Sequence, residues 1–233
     1  MKKIIFRILR LFTGLFLYAV GIVMIINANL GLAPWEVFHQ GLTNIINITM
    51  GQANILIGFI LIIINTIFKE KLGWGTIFNM LFIGVFMDIL MLNNIIPVFE
   101  GFLSRLIMML LGMFVIGVAS YLYIGSGLGA GPRDGLMVAL TKKTNKSVRF
   151  VRNSIETSVL IIGYLLGGFI GIGTLITALT VGHFVQFAFK IFKFDVKEVK
   201  HRFIDEDIKL IKSKLINKEK IESENCIENN CKE

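Results

Sequence analysis

Two stretches of the chain echo one another, and any fold must accommodate both. Leu30-Gly31-Leu32-Ala33-Pro34-Trp35-Glu36 returns as Leu128-Gly129-Ala130-Gly131-Pro132-Arg133-Asp134, and Leu42-Thr43 returns as Leu140-Thr141. Pro34 and Pro132 stand 98 positions apart (132 − 34), and the same offset joins Gly14 to Gly112, Gly73 to Gly171, Gly75-Thr76 to Gly173-Thr174 and Gly84 to Gly182. Arg7 pairs with Arg105 and Asn47 with Asn145, without a gap from Arg7 to Gly84. Chance similarity between apolar segments would match Leu and Ile. These matches fall on Gly, Pro and Thr, which mark backbone geometry. The chain therefore reads as an internal duplication, with units at 1–97 and 98–192 and a charged tail at 193–233. Such repeats recur in membrane transporters, whose sites lie at the repeat interface. Duplication for stability alone is the alternative.

The repeats are apolar enough to lie in a bilayer. Hydrophobic residues make up 55% of the chain and charged residues 17%, against about a quarter charged in a soluble domain. Mean hydropathy is +0.73. Several apolar runs approach the ~20 residues needed to cross the hydrocarbon core. The net charge of +8 is gathered in short clusters at the ends of those runs, which is the positive-inside pattern rather than a nucleic-acid footprint. Cys226 and Cys231 form a C-x4-C pair in the polar tail. With no His nearby they make a poor zinc site and read as a reduced, solvated pair. No metal or other cofactor is expected.

The first unit opens with Lys2, Lys3, Arg7 and Arg10 before an apolar run to about Ile26. That run is too long for a signal peptide's core and reads as a retained first span. Gly14 and Gly21 share one face of it and allow close helix packing. Gly31 can stop the first helix and Pro34 can open a new one. The segment from Pro34 to about Ile48 is too short to span and carries Glu36, His39, Gln40, Asn44 and Asn47. It reads as a re-entrant or interfacial half-helix held in protein or a wet cavity. Spans follow at about 53–68 and from the Gly73–Thr76 break to about Leu92. In the second unit the corresponding spans end near Ile124, begin near Asn153 and run to about Phe189, with a second half-helix opening at Pro132. Beyond Lys190, Phe203, Ile204, Ile208, Ile211 and Leu215 recur at helical spacing and predict an amphipathic surface helix, followed by a polar segment.

Six spans with a cytoplasmic N-terminus put Lys69, Lys71, the basic residues from Arg133 to Arg152 and the whole tail inside. The stretches from Leu30 to Gly51 and Asn93 to Gly101 lie outside and contain no Lys or Arg. Every short loop then obeys the charge rule. Three spans per unit is an odd number, so the repeats are inverted and the half-helices enter from opposite faces. The competing count takes each half-helix as a span, giving eight spans and parallel repeats, and places Lys69, Lys71 and Arg133 outside. The expected fold is thus all-α: a polytopic helical membrane protein of two three-span repeats, each with a half-helix.

Opposed half-helix N-termini would aim backbone N–H groups at the middle of the protein, a place for an anion or carboxylate. The candidate substrate-binding residues are Pro34, Trp35, Glu36 and His39 with Pro132, Arg133 and Asp134. The plain alternative has Glu36 and Asp134 satisfying their own helix ends and Arg133 at the cytoplasmic interface. Asp88, Arg152, Glu156 and His183 are the candidate intramembrane or coupling groups, since ionisable side chains are costly in lipid. Arg152 and Glu156 share a helix face and could simply pair with each other. His183 reads as a hydrogen-bonded interior histidine, on a face that Gly182 lets approach a neighbour. There is no phosphate-binding loop with its Lys, no HExxH and no nucleophile elbow, so no enzyme is expected.

The motifs LGLAPWEVFHQGL, KLGWGTIFNMLFIGVFMDIL, YIGSGLGAGPRDGLMVAL, SVRFVRNSIE and GGFIGIGT, which together cover about Thr13 to Phe189, resemble the YczE/YyaS/YitT family of bacterial integral membrane proteins, most of all its YczE branch. Relatives commonly carry Asp where this chain has Glu36, which keeps the acid. The resemblance implies a multi-pass protein of the bacterial cell membrane and supplies no catalytic or ligand residues. Two functions follow as expectations. One is a transporter or exporter of a small polar or anionic solute. The other is a non-transporting accessory or regulatory membrane protein that acts on a protein partner, with the tail as its contact.

Overall fold

The computed structural model describes residues 2–195, 199 and 202–205. Among them are eight helices and no strand: α1 (Lys2–Ala28), α2 (Pro34–Ile46), α3 (Met50–Ile67), α4 (Trp74–Leu92), α5 (Phe102–Gly125), α6 (Pro132–Thr144), α7 (Val148–Leu165) and α8 (Ile172–Ile191). Five are long and apolar enough to cross a membrane: α1 from Ile4, α3, α4, α5 and α8. The sixth expected span, α7, has 18 residues but carries Arg149, Arg152 and Glu156 in its first half, which keeps it out of that group. It also begins at Val148, a turn earlier than the expected start near Asn153. Helices α2 and α6 have 13 residues each, about 20 Å at 1.5 Å per residue, short of the ~30 Å core.

Local chemistry sets these bounds. Pro34 and Pro132 each occupy the first turn of their helix, where a missing N–H leaves no bond unmade. Both short helices end on an asparagine in the left-handed region, Asn47 at φ 47° and Asn145 at φ 54°. Thr49 and Ser147 then cap α3 and α7 by accepting the N–H groups of Gln52 and Phe150 at 3.1 and 3.3 Å. The N–H of Gly73 donates to Thr76 Oγ1 ahead of α4, and that of Gly171 to Thr174 Oγ1 ahead of α8.

The core is the antiparallel pair α1 and α5. Gly14 lies against Tyr123 and Gly21 against Gly112 and Ile116, so chain number rises along one helix as it falls along the other. A methyl on Gly21 would stand 2.7 Å from the Gly112 carbonyl oxygen, and one on Gly112 would stand 2.9 Å from that of Gly21. Small residues thus set the distance between these backbones, as the spacing of Gly14 and Gly21 predicts. Leu11, Leu15, Val23, Met87, Met109 and Met113 fill the space around the pair. Helix α4 packs on α1 and α8 on α5, while α2 packs on α7 and α6 on α3, so each short helix leans on a helix of the other half. The loops cross over as well. Gly75 N–H donates to Leu128 O at 2.7 Å and Gly173 N–H donates to Leu30 O at 2.7 Å.

The two halves differ in one respect. Helices α3 and α4 close against each other through Gly51, Gly58 and Gly84, whereas α7 and α8 barely touch. Gly182, the counterpart of Gly84, faces open space, contrary to the close helix contact expected there. Most of the expected amphipathic helix and both cysteines lie outside the described residues. Of that stretch, Arg202 N–H donates to Gly127 O at 2.8 Å, Ile204 N–H donates to Leu72 O at 3.0 Å, and Lys71 Nζ lies 5.2 Å from the Phe203 ring centroid.

Candidate functional site

Arg133, in the first turn of α6, reaches across to the N-terminal turns of α2. Its guanidinium donates to Asn54 Oδ1 at 3.1 Å, reaches Glu36 Oε1 at 3.5 Å and His39 Nε2 at 3.4 Å, and lies 4.7 Å from the centroid of the Trp35 ring. Four of the expected substrate-binding residues therefore form one cluster, with Pro34 and Pro132 setting the helix ends that carry it. The Glu36 side chain is 8% exposed and that of Arg133 28%. The Arg133 guanidinium thus faces a buried acid. Arg133 can only donate, so His39 Nε2 accepts and its proton sits on Nδ1. That Nδ1 is buried and has no hydrogen-bond partner among the described residues.

Asp134 takes a different direction. Its Oδ2 accepts the Tyr123 hydroxyl at 2.9 Å, and that hydroxyl accepts the Gly131 N–H at 3.1 Å. The carboxylate therefore ties the start of α6 to α5. Asn65 Nδ2 donates to Pro132 O at 2.9 Å from α3. These anchors hold the α6 N-terminus where Arg133 can reach α2.

Two cavities flank Arg133. The first, about 120 Å³, lies among α1, α2, α5, α7 and α8. Tyr18, Trp35, Glu36, Arg133, Arg152 and Glu156 bring polar groups to it, and Ile22, Ile25, Ile116, Val181 and Val185 form its apolar wall. The second, about 70 Å³, lies on the α6 side and is lined by Tyr18, Asn54, Asn79, Tyr123, Arg133 and Asp134 among others. Tyr18, Ile22 and Arg133 face both.

The remaining expected residues divide. Arg152 Nε donates to Glu156 Oε1 at 2.8 Å, one helical turn apart, and both side chains line the first cavity. Asp88 stands apart from the cluster. It accepts the Thr49 hydroxyl at 2.5 Å and the Gly51 N–H at 2.9 Å, which fixes the start of α3 against α4. His183 is exposed on α8, with Nδ1 3.1 Å from Leu179 O, and is not an interior histidine. The sequence assigns no site role to Tyr18, Asn54 or Asn79, because uncharged polar residues inside apolar runs carry little signal until their neighbours are known. No group of three or more metal-binding side chains occurs among the described residues.

A helical chain with five membrane-length apolar helices and a charged cluster between two short ones is a multi-pass membrane protein. The chain belongs to a family of unknown function, DUF6198, which matches residues 5–190. It is 36% identical over 191 residues to the uncharacterized membrane protein YczE of Bacillus subtilis (strain 168), covering 80% of this chain and 87% of that protein. It is 36% identical over 178 residues to an uncharacterized protein of Haemophilus influenzae (strain ATCC 51907 / DSM 11121 / KW20 / Rd), covering 76% and 81%. It is 30% identical over 168 residues to the uncharacterized protein YyaS of Bacillus subtilis (strain 168), covering 70% and 83%. No solved structure matches.

Proposed function

We propose that this protein is a carrier of a small polar or anionic solute, built from two inverted repeats, with Arg133 as its central binding group. One observation carries the reading. Every residue lining the second cavity except Ile22 stands 98 positions from a residue lining the first. Asn54 answers Arg152, Gly58 answers Glu156, Asn79 answers Thr177, and Gly131 to Asp134 answer Ala33 to Glu36. The paired loop bonds obey the same rule, since Gly75 and Gly173 are 98 apart, as are Leu30 and Leu128. Such reciprocity is the mark of a two-fold relation. Equivalent helices α1 and α5 run antiparallel, which favours an axis in the membrane plane and therefore inversion. The α2 and α6 N-termini then approach the bilayer middle from opposite sides, as in transporters with broken helices.

In this reading the N-terminus and the tail are cytoplasmic, as the basic loops favour. The unequal halves supply the two states. Here α3 is shut on α4 and α7 stands open from α8; the opposite end state has the two pairs exchanged. The accessory reading has one observation of its own, the backbone bonds from residues 202 and 204 to the loops at Gly127 and Leu72. That contact suits a segment whose removal alters the loops.

The test is flux in reconstituted vesicles loaded with labelled lactate, succinate or valine. Saturable exchange of one of them by the unaltered protein, lost in Arg133→Gln, is the expected result. Equal flux in protein-free vesicles and in both proteins overturns the carrier reading.

A further inference from the structure

On the reading that the paired cavities are the solute path, their chemistry narrows the solute. The first cavity sets two guanidinium groups, Arg133 and Arg152, among two carboxylates, Glu36 and Glu156. The second sets Arg133 beside Asp134. Neither has an excess of one sign. A simple anion near the guanidinium groups would also lie near carboxylates, and in a low-dielectric cavity like charges repel strongly. A simple cation meets the reverse. A neutral polar solute would gain hydrogen bonds from the four charged groups of the first wall but no charge–charge attraction.

The polar groups that remain open point the same way. The contact from Glu36 to Arg133 is 3.5 Å, at the outer limit of a hydrogen bond, which leaves the carboxylate with accepting capacity. The Tyr18 hydroxyl and the Asn79 amide have no hydrogen-bond partner among the described residues, yet both line the second cavity and Tyr18 lines the first as well. The free space of about 120 Å³ is a little under the ~150 Å³ of a cavity that holds benzene, so the body must be compact. Ile22, Ile25, Ile116 and Val181 make its surroundings apolar.

We infer that the solute is a small zwitterion with an apolar body, of the α-amino acid kind. Its carboxylate takes the free face of Arg133, and its ammonium takes Glu36 in the first cavity and Asp134 in the second. Tyr18, which faces both cavities, stays in reach as the carboxylate passes from one side of Arg133 to the other.

Three probes of one carbon skeleton test this: valine, isovalerate without the amine and isobutylamine without the carboxylate. Trp74→Phe leaves Trp35, stacked on Arg133, as the sole tryptophan of the chain. Its fluorescence is titrated with each probe in lipid nanodiscs. Valine is expected to give a saturable change at a concentration at least about tenfold below either partial analogue. Glu36→Gln is expected to bring valine and isovalerate close to parity. Isovalerate matching or exceeding valine in the unaltered site would overturn the zwitterion assignment and leave an anion carrier standing. No response to any probe, in protein whose thermal melt shows it folded, would overturn the assignment and the site at Arg133 together.

Discussion

Gly84 and Gly182 stand 98 positions apart (182 − 84) and are counterparts in the proposed repeat, so one substitution made twice measures the difference between α4 and α8. A methyl added at Gly84 would lie 2.5 Å from the Gly51 carbonyl oxygen and 2.6 Å from Ile55 Cγ1. The oxygen belongs to the first turn of α3 and cannot swing aside, so α3 must move off α4. Overpacking of this kind costs about 1–3 kcal/mol, against a helix-propensity gain of about 1 kcal/mol at most. A methyl at Gly182 meets nothing within 4 Å and keeps the propensity gain. Unfolding free energy measured by steric trapping in bicelles should therefore fall for Gly84→Ala by up to about 2 kcal/mol and stay level or rise for Gly182→Ala. In the carrier reading, Gly182→Ala also obstructs the closing of α7 on α8, so it slows exchange without loss of stability. Equal destabilisation by both substitutions would refute the argument, because it would mean that α7 and α8 are packed as α3 and α4 are.

Asp88→Asn removes charge from an acceptor of two hydrogen bonds at the start of α3. It should lower stability by about 1–3 kcal/mol while leaving Trp35-reported binding unchanged, which a melt and a titration check together. Arg133→Lys keeps the charge but loses the planar fork that reaches Asn54, His39 and Glu36 and stacks on Trp35. Probe affinity should drop at least about tenfold with the melt little changed. His183→Ala should leave exchange and stability within error, since the ring is exposed and, among the described residues, its hydrogen bond is to Leu179 of its own helix.

Much of this architecture is legible in the residues because its determinants are local. Pro34 and Pro132 open short helices whatever surrounds them, and the Gly14–Gly21 spacing announces a close helix pair. The expectation that Trp35, Glu36 and Arg133 lie together rests on the matched Pro34 and Pro132 motifs, and Arg133 does contact both residues. The asymmetry is also written in the chain, for Gly51 and Gly58 of α3 answer to Arg149 and Glu156 of α7. Its meaning emerges only once Gly51 is seen against Gly84 and Asp88. Asp88 was open to a coupling role because its partners, Thr49 and the Gly51 N–H, lie on another helix. Arg133 could be placed at an interface by charge alone, since nothing in the sequence gives the distance from α6 to Asn54 on α3. Tyr18 is one aromatic among many in an apolar span, and its place between two cavities depends on three other helices.

The inverted repeat is the claim from which the site, the path and the two states all follow. Asn44 on α2 and Lys142 on α6 are equivalent positions (142 − 44 = 98) on exposed parts of the half-helices. Each would be changed to Cys in a chain whose Cys226 and Cys231 are Ser, and intact cells would be treated with an impermeant thiol reagent. Inverted repeats predict labelling at 44 and protection at 142, with 142 becoming reactive once the membrane is opened. Protection at both, together with labelling at Lys71→Cys, would mean eight spans and parallel repeats and would contradict the account.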